Sequence, residues 1–387
     1  MTPHAPHTHG LVRTATRCRR PLQAMLVATL AAMAAGHTLA QGWNLGATQL
    51  PQADGGETTV FYPTQAAESA VQQGPFTLAW AQDAAPAAGQ HRLVVISHGS
   101  GGSPWVHTDL ARSLVAAGFV VAVPQHHGDN FRDASSPGPV SWAKRPQEVS
   151  EAINRVAADP RLGPGLQLDA VGVFGGSAGG HTALSMAGGV WSASRFRDHC
   201  LQHIAQDFSS CVGFITRLDG GLLDGPKRWL AQRVIAWRFG DDSPQQHSDA
   251  RVKAVVAMVP FAADFELASL AQPRVPLGLV LAAKDVNQVP RFHGEAVRQA
   301  CAPRCQVVMH LADGGHGAML SPLPPLPPGS LAHQLLGDPP GFDRATTLPR
   351  LHQQIASFFS QHLGSTQATA AAGPPHPTPS THSGDKP

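Results

Sequence analysis

The sequence predicts an α/β fold, in which a mostly parallel central sheet carries helices on both faces. Short apolar runs alternate with longer amphipathic patterns from about residue 57 to residue 363, which is typical of strands that alternate with helices. Several runs, such as Leu93–Ser97, are almost continuously apolar, as strands buried on both faces should be. With 387 residues, of which 42% are hydrophobic, the chain can bury a substantial core.

The strands and helices can be placed in order along the chain. The predicted strands are Thr58–Tyr62 and Phe76–Trp80 at the edge, followed by Leu93–Ser97, Phe119–Val123, Ala170–Phe174, Val252–Val259, Leu277–Ala283 and Gln306–Leu311. Four helices are predicted. The first ends at Gly118 with Leu110, Leu114 and Ala117 facing inward, and the second lies between Pro146 and Pro160 with Val149, Ile153 and Val156 facing inward. The third spans Ala178 to Ala187, and the last ends before Gly364 with Leu351, Ile355 and Phe358 facing inward.

Two segments interrupt this alternation. Residues from about 189 to 250, called the cap below, contain a cysteine pair, several aromatic residues and a helix-like stretch at Trp229–Trp237. We interpret them as a helical cap over the functional site, with a peripheral decoration as the alternative. The proline-rich segment Ser321–Pro340 is expected to form part of the rim of that site.

The two ends of the chain are expected to lie outside the folded domain, which we place at residues 41–363. Residues 1–40 have a positively charged start, an apolar run over Leu22–Ala35 and the small-residue cleavage site Thr38–Ala40, as in an export signal cleaved before Gln41. The apolar run is short of the about 20 residues that a membrane span needs, although an uncleaved anchor remains the alternative. Arg19 and Arg20 match the twin-arginine pathway poorly, so the export route stays open. Residues 364–387 have the composition of a disordered tail.

Cysteine usage agrees with a periplasmic or secreted protein. Cys18 would leave with the signal, and the remaining four cysteines form two close pairs, which predict the disulfides Cys200–Cys211 and Cys301–Cys305. Free buried thiols are the alternative. A zinc site is not favoured, because no two cysteines are separated by two intervening residues and no nearby histidine spacing supports one.

Net charge and its distribution limit the possible partners. The net charge is +2, charged residues make up 14% of the chain, and no basic stripe stands out. Neither nucleic acid nor an anionic membrane surface is therefore suggested as a partner, and no stable membrane anchor is expected.

The sequence Gly175-Gly-Ser-Ala-Gly179 is the candidate nucleophile motif. It follows a buried strand and precedes a helix, which is the context that a strained strand-to-helix turn requires to expose the hydroxyl of Ser177. Glycines at 175 and 179 leave room for the close approach of neighbouring backbone. A glycine-rich turn with a buried serine is the alternative.

The loop His98–Gly102 follows the first long buried strand and is the candidate oxyanion-binding loop. We assign the backbone N–H groups of Ser100 and Ala178 to the oxyanion, since this kind of site uses one donor from such a loop and one from the residue after the nucleophile. A phosphate-binding loop is the alternative, but no Walker lysine follows. We expect His98 to fix the loop rather than to act in catalysis.

Asp285 and His316 complete the candidate catalytic triad. Asp285 comes directly after a predicted strand, and His316 lies in a glycine loop after the next one, so the chain order is Ser, Asp, His. Asp264 is the rival acid. His310 is a rival base, although it lies within a strand pattern.

The pair His126–His127 ends the second buried strand, near Asp129 and Asn130. We interpret it as lining the pocket, with a metal site as the less favoured alternative.

These landmarks together resemble the branch of the α/β-hydrolases that contains the dienelactone-hydrolase-like and platelet-activating-factor-acetylhydrolase-like proteins, above all the bacterial group called predicted dienelactone hydrolases. The matching segments are Ser97–Gly102, Pro124–Asn130, Trp142 with Arg145 and Pro146, and Gly175–Gly180. The resemblance covers about residues 45–363 and implies an α/β-hydrolase fold that hydrolyses carboxylic esters, of small or aromatic acids or short acyl chains. Dienelactone hydrolases use a cysteine nucleophile, so Ser177 gives no reason to expect dienelactone as the substrate.

The expected activity is two-step hydrolysis of a small-molecule ester through an acyl-enzyme, without a metal or an organic cofactor. No apolar flap of the lipase type can be read, so long acyl chains are not expected. An amidase or peptidase on the same triad, and a catalytically inactive binding protein with the same fold, are the alternatives. The oligomeric state is left open.

Overall fold

The computed structural model describes residues 42–52 and 55–364. The expected signal with its cleavage site after Ala40, Cys18 and the tail beyond Gly364 lie outside these residues. Within them, no helix is both long and apolar enough to cross a membrane.

A single ten-stranded sheet runs through the described residues. Its strand order is β10-β9-β8-β7-β5-β6-β2-β1-β4-β3. The strands are β1 (Asn44–Pro51), β2 (Glu57–Thr64), β3 (Ser69–Gln73), β4 (Phe76–Gln82), β5 (His91–Ser97), β6 (Val120–Pro124), β7 (Leu166–Gly176), β8 (Val252–Met258), β9 (Leu277–Ala282) and β10 (Cys305–Leu311). From β10 across to β6 every pair of neighbouring strands is parallel. The sheet is therefore mostly parallel, as predicted.

Helices connect the parallel strands and form the cap. They are α1 (Thr108–Ala116), α2 (Pro139–Trp142), α3 (Arg145–Ala158), α4 (Ala178–Met186), α5 (Ala193–His203), α6 (Phe208–Val212), α7 (Asp224–Arg238), α8 (Gly294–Cys301), α9 (Leu331–Leu336) and α10 (Arg344–Leu363). Short 3₁₀ turns lie at Pro104–His107, Gly163–Gly165, Leu267–Leu270, Pro290–Phe292 and His316–Met319.

Two hydrophobic clusters lie on opposite faces of the sheet. One contains the inward residues of α3, α4 and α8, and it continues into the cap. The other contains the inward residues of α1 and α10. Ile153 and Leu351, predicted to face inward on the second and last helices, are fully buried. This two-sided packing is what the continuous apolar strands predicted.

Two strands at the amino-terminal edge, β1 and β3, were not predicted from the sequence. β1 pairs with β2 in an antiparallel ladder, and β3 forms a hairpin with β4. β3 is composed largely of polar residues that alternate between exposed and half-buried positions. Neither strand has the continuous apolar run that identified the central strands.

Both cysteine pairs are bonded as predicted. Cys200–Cys211 joins α5 to α6 within the cap, and Cys301–Cys305 joins the end of α8 to the start of β10. The expected helix at Trp229–Trp237 is the second half of α7. The cap is therefore a helical insertion between α4 and β8.

Candidate active site

Ser177 sits in the tight turn between β7 and α4. Its backbone has φ 56° and ψ −118°, a conformation that is strained for a residue with a side chain. A Cβ on Gly175 would lie 1.9 Å from the carbonyl oxygen of Gly179, and a Cβ on Gly179 would lie 1.8 Å from the carbonyl oxygen of Ser97. Both positions therefore require glycine, for the reason that the motif predicted.

The structure brings Ser177, His316 and Asp285 into one hydrogen-bonded line. The Oγ atom of Ser177 is 2.9 Å from Nε2 of His316, and Nδ1 of His316 is 2.7 Å from Oδ2 of Asp285. Asp285 accepts the Nδ1 proton, which leaves Nε2 free to accept the hydroxyl proton of Ser177. All three residues follow parallel strands at the carboxyl edge of the sheet, and each is at most 7% exposed. This arrangement can activate a serine hydroxyl as a nucleophile.

The loop after β9 fixes the carboxylate of Asp285. Its Oδ1 atom accepts the backbone N–H groups of Asn287 at 2.9 Å and Gln288 at 2.8 Å. The second oxygen, Oδ2, is the one that faces His316. The carboxylate is thus held in place by its own loop while it orients the imidazole ring.

The loop of His316 is held by the proline-rich segment Ser321–Pro340. A Cβ on Gly317 would lie 1.7 Å from the carbonyl oxygen of Leu336, and one on Gly315 would lie 2.9 Å from Pro339. The glycines on either side of His316 therefore allow this segment to pack directly against the loop.

The rival acid and base lie elsewhere. Asp264 is fully buried and pairs with Nε2 of His181 at 3.0 Å, among the rings of Trp142 and Trp191. His310 lies at an exposed position of β10. Neither residue takes part in the hydrogen-bonded line through Ser177.

The two backbone groups assigned to the oxyanion have no competing acceptor in the described part of the chain. Within residues 42–52 and 55–364, neither the N–H of Ser100 nor that of Ala178 donates to the protein. Gly99 brings its loop against Ser177, since a Cβ at that position would lie 3.5 Å from Cβ of Ser177. Free N–H donors in such a loop and directly after the serine are what an oxyanion hole requires.

A buried ion pair holds the loop that contains Ser100. The carboxylate of Asp129 accepts the Ser100 hydroxyl at 2.6 Å and the Gly101 N–H at 3.0 Å, and it pairs with Arg145 at 2.8 Å. Arg145 also donates to the carbonyl oxygen of His98 at 2.5 Å. Burial would raise the pKa of Asp129, but the Arg145 charge and these hydrogen bonds outweigh burial and hold the pKa below its ordinary value. We call these two residues the loop clamp.

His98 and His126 are both buried and hydrogen-bonded within the protein. His98 is completely buried, and burial holds its pKa well below its ordinary value, which fits the loop-fixing role expected for it. His126 lies between the Ser97 hydroxyl at 2.8 Å and Glu148 at 2.5 Å. The predicted pocket-lining role of His126 is not what this geometry shows, because the side chain is fully buried in a hydrogen-bond network.

Gln288 is a site residue that the sequence analysis missed. Its Nε2 atom donates to Oγ of Ser177 at 3.1 Å. Because the Ser177 proton points at His316, the hydroxyl oxygen can only accept from Gln288, so the amide nitrogen must face it. The Oε1 atom of Gln288 is buried and has no partner among the described residues.

A second polar cluster joins the cap to the loop after β9. Oδ2 of Asp207 accepts from Nε2 of His199 at 2.8 Å and from Nε2 of His293 at 2.9 Å. These three residues offer ligand atoms within 4.8 Å of one another. However, Nδ1 of His293 accepts the N–H of Ala262 at 3.0 Å, so its Nε2 must carry the proton and cannot bind a metal ion. The cluster is therefore a hydrogen-bonded tie between the cap and the core.

Comparison with known proteins shows the fold. No protein-family model and no curated protein matches the chain. Among solved structures, the chain is similar to a ferulic acid esterase from Streptomyces cinnamoneus with a TM-score of 0.51 and 15% identity, over 85% of this chain and 91% of that one. Together with the mostly parallel sheet, this likeness shows that the chain has the α/β-hydrolase fold. The likeness does not show the narrower dienelactone-hydrolase-like branch that the sequence resembles.

Proposed function

We propose that this protein is a serine hydrolase that cleaves carboxylic esters through an acyl-enzyme. The observation that carries the proposal is the hydrogen-bonded line from Ser177 through His316 to Asp285, with distances of 2.9 and 2.7 Å. The free N–H groups of Ser100 and Ala178 support it.

In the proposed reaction, Oγ of Ser177 attacks the ester carbonyl carbon while Nε2 of His316 takes the hydroxyl proton. Asp285 stabilises the imidazolium that forms. The Ser100 and Ala178 N–H groups bind the oxyanion of the tetrahedral intermediate. His316 then gives its proton to the departing alcohol, which leaves an acyl ester on Ser177. Water, deprotonated by the same histidine, attacks this ester; His316 then returns the proton to the departing Oγ of Ser177, which releases the acid and restores the serine.

The substrate class follows from two independent likenesses. The sequence resembles dienelactone-hydrolase-like proteins, and the similar solved structure is an esterase of ferulic acid, an aromatic acid. We therefore propose small or aromatic acyl esters as substrates. Ser177 stands where dienelactone hydrolases have cysteine, so the resemblance does not make dienelactone a proposed substrate.

We further propose that the protein works outside the cytoplasm. The two disulfides Cys200–Cys211 and Cys301–Cys305 suit an oxidising compartment, and the first forty residues read as an export signal. Intact-mass analysis of the protein after expression in a Gram-negative host tests this point, because export with cleavage would give a chain that begins at Gln41.

The test of the activity is hydrolysis of a p-nitrophenyl ester series from acetate to palmitate, together with methyl ferulate. Wild type and Ser177→Ala are compared in the same preparation. We expect turnover of short or aromatic esters that is lost in the variant. Turnover that Ser177→Ala retains in full would overturn the proposal. Cleavage of matched anilides but not of esters would favour an amidase, and failure of all substrates and of active-site labelling would favour an inactive binding protein.

A further inference from the structure

The outer side of the cap exposes an unusual amount of apolar surface. Fourteen large hydrophobic residues of the described chain are exposed, and nine of them lie between Leu201 and Trp237. Leu222 is 99% exposed, Ile215 86% and Trp237 85%. Large exposed apolar patches of this kind mark surfaces that bind a partner.

Helix α7 has its apolar side facing out rather than in. Only Ile235 among its fifteen residues is buried. Trp229, Arg233 and Trp237 follow one another at intervals of four residues and so share one exposed face. The two tryptophans are therefore separated by about 12 Å along the helix axis. A surface helix normally buries its apolar stripe, but none of the residues 42–52 and 55–364 covers this face.

The same surface is positively charged. Residues 214–238 contain five cationic and two acidic residues, which gives a net charge of +3. Both acidic residues, Asp219 and Asp224, pair with Lys227. Arg233 and Arg238 are exposed and form no ion pair within the described residues, and Arg233 lies over the Trp229 ring at 5.8 Å.

The base of the cap is attached to the core by hydrogen bonds and is braced by a disulfide. The disulfide Cys200–Cys211 joins α5 to α6, and Asp207 bonds to His293 and to the Val289 N–H of the loop after β9. The apolar surface is thus presented on a fixed support.

We propose that the outer side of the cap is a docking surface for an anionic lipid bilayer. Helix α7 would lie in the plane of the interface, with the rings of Trp229 and Trp237 at the boundary between headgroups and acyl chains. The unpaired arginines beside them would contact lipid phosphates. The proposal concerns binding alone and does not depend on the proposed esterase activity.

Charge selects this occupant over two others. A second copy of the chain, docked through the same face, would bring unpaired arginines against unpaired arginines. The carboxyl-terminal residues 365–387 contain no large apolar side chain and a single aspartate. They therefore offer neither the apolar surface nor the negative charge that would complement the cap. An anionic bilayer provides both an apolar layer and the opposite charge.

The test is cosedimentation with vesicles of phosphatidylcholine alone and with vesicles that also contain phosphatidylglycerol. The full chain is expressed with its own amino-terminal segment, and every variant is confirmed to have the same amino terminus. Two double variants are compared, Trp229→Gln with Trp237→Gln and Arg233→Gln with Arg238→Gln. The controls are Val307→Gln, an exposed valine of β10, and Arg304→Gln with Arg350→Gln, two exposed arginines outside the cap. Thermal unfolding verifies that each variant is folded.

We expect wild type to bind the anionic vesicles at least about tenfold more tightly than the neutral ones. The tryptophan variant should bind at least about tenfold more weakly. At low salt the affinity of the arginine variant for anionic vesicles should be about fivefold lower for each arginine replaced, and this difference should shrink as salt is added. Both controls should stay within about twofold of wild type.

Three results would overturn the proposal. The first is no binding to anionic vesicles, and the second is binding that the folded tryptophan variant retains. The third is equal binding to neutral vesicles. A concentration-dependent dimer that the tryptophan variant abolishes, without vesicle binding, would show that a second copy covers this surface instead.

Discussion

Removing the charge of Asp129 should damage both the stability and the activity of the protein. Asp129 and Arg145 form the loop clamp, and neither side chain is more than 1% exposed. In Asp129→Asn the guanidinium keeps its burial but loses its counter-charge. Breaking one side of a buried pair typically costs about 3–5 kcal/mol in free energy of unfolding, and we expect a loss in that range.

The effect on activity follows from what else the carboxylate holds. Asp129 accepts the hydroxyl of Ser100 and the N–H of Gly101, so it positions the loop that offers the proposed oxyanion donor. Losing one such donor altogether lowers kcat by about 100- to 1000-fold. A displaced donor should cost less than a lost one, so we expect kcat to fall between about 10- and 100-fold, with a smaller change in KM.

Urea unfolding and p-nitrophenyl butyrate kinetics measure the two effects, with the double variant Asp129→Asn and Arg145→Met as the control. The double variant leaves no unpaired charge, so its loss of stability should be about 1–2 kcal/mol smaller than the sum of the two single variants. Its kcat should stay low, because the loop has still lost its anchor. An Asp129→Asn protein with stability within about 0.5 kcal/mol of wild type and unchanged kcat would refute this reasoning.

Three further predictions follow from single contacts. Gln288→Leu removes a hydrogen bond to Ser177, so kcat/KM for p-nitrophenyl butyrate should fall about 2- to 10-fold with no loss of thermal stability; an unchanged kcat/KM would contradict it. Burial lowers the pKa of His107 to about 4, below its value in the unfolded chain. Its contribution to stability is therefore full above about pH 6.5 and is lost as the pH falls toward 4. The variant His107→Leu should make the unfolding temperature less sensitive to acid, and an unfolding temperature with the same pH dependence as wild type would count against this. Replacing Cys200 and Cys211 by serine removes a disulfide between residues 11 apart in sequence. Urea unfolding should then show a free energy of unfolding that is lower by about 3 kcal/mol, whereas an unchanged midpoint would show that the disulfide does not stabilise the fold.

Local sequence signals predicted most of the sheet and the residues of the candidate triad. The glycines at 175 and 179 mark a turn that no larger residue can occupy, and Asp285 and His316 come directly after buried strands. In a parallel sheet the carboxyl ends of the strands lie at one edge, so the positions along the chain were enough to bring these residues together. Asp264 also follows such a strand and so remained a rival to the predicted acid Asp285; the hydrogen bond to His316 distinguishes the two.

The contacts that the sequence could not predict are those between residues without a local pattern. Asp129 and Arg145 were part of the family resemblance, but their pairing depends on how a loop and a helix meet in space. Gln288 is one polar residue in a loop, and nothing in its neighbours indicates that it reaches Ser177. The exposed cap surface, where apolar side chains lie beside cationic ones, was missed for another reason. A net charge of +2 over the whole chain conceals a local charge of +3, and the sequence predicted a helix at Trp229–Trp237 without showing which of its faces is exposed.

The most direct test of the central claim is covalent labelling with a fluorophosphonate probe, followed by peptide mass spectrometry. Only an activated serine reacts with such a probe, so the label reports the nucleophile and its base together. We expect one label, on the peptide that contains Ser177, at a rate that falls at least about 100-fold in His316→Ala. A folded protein that carries no label, or a label on another serine, would contradict the account.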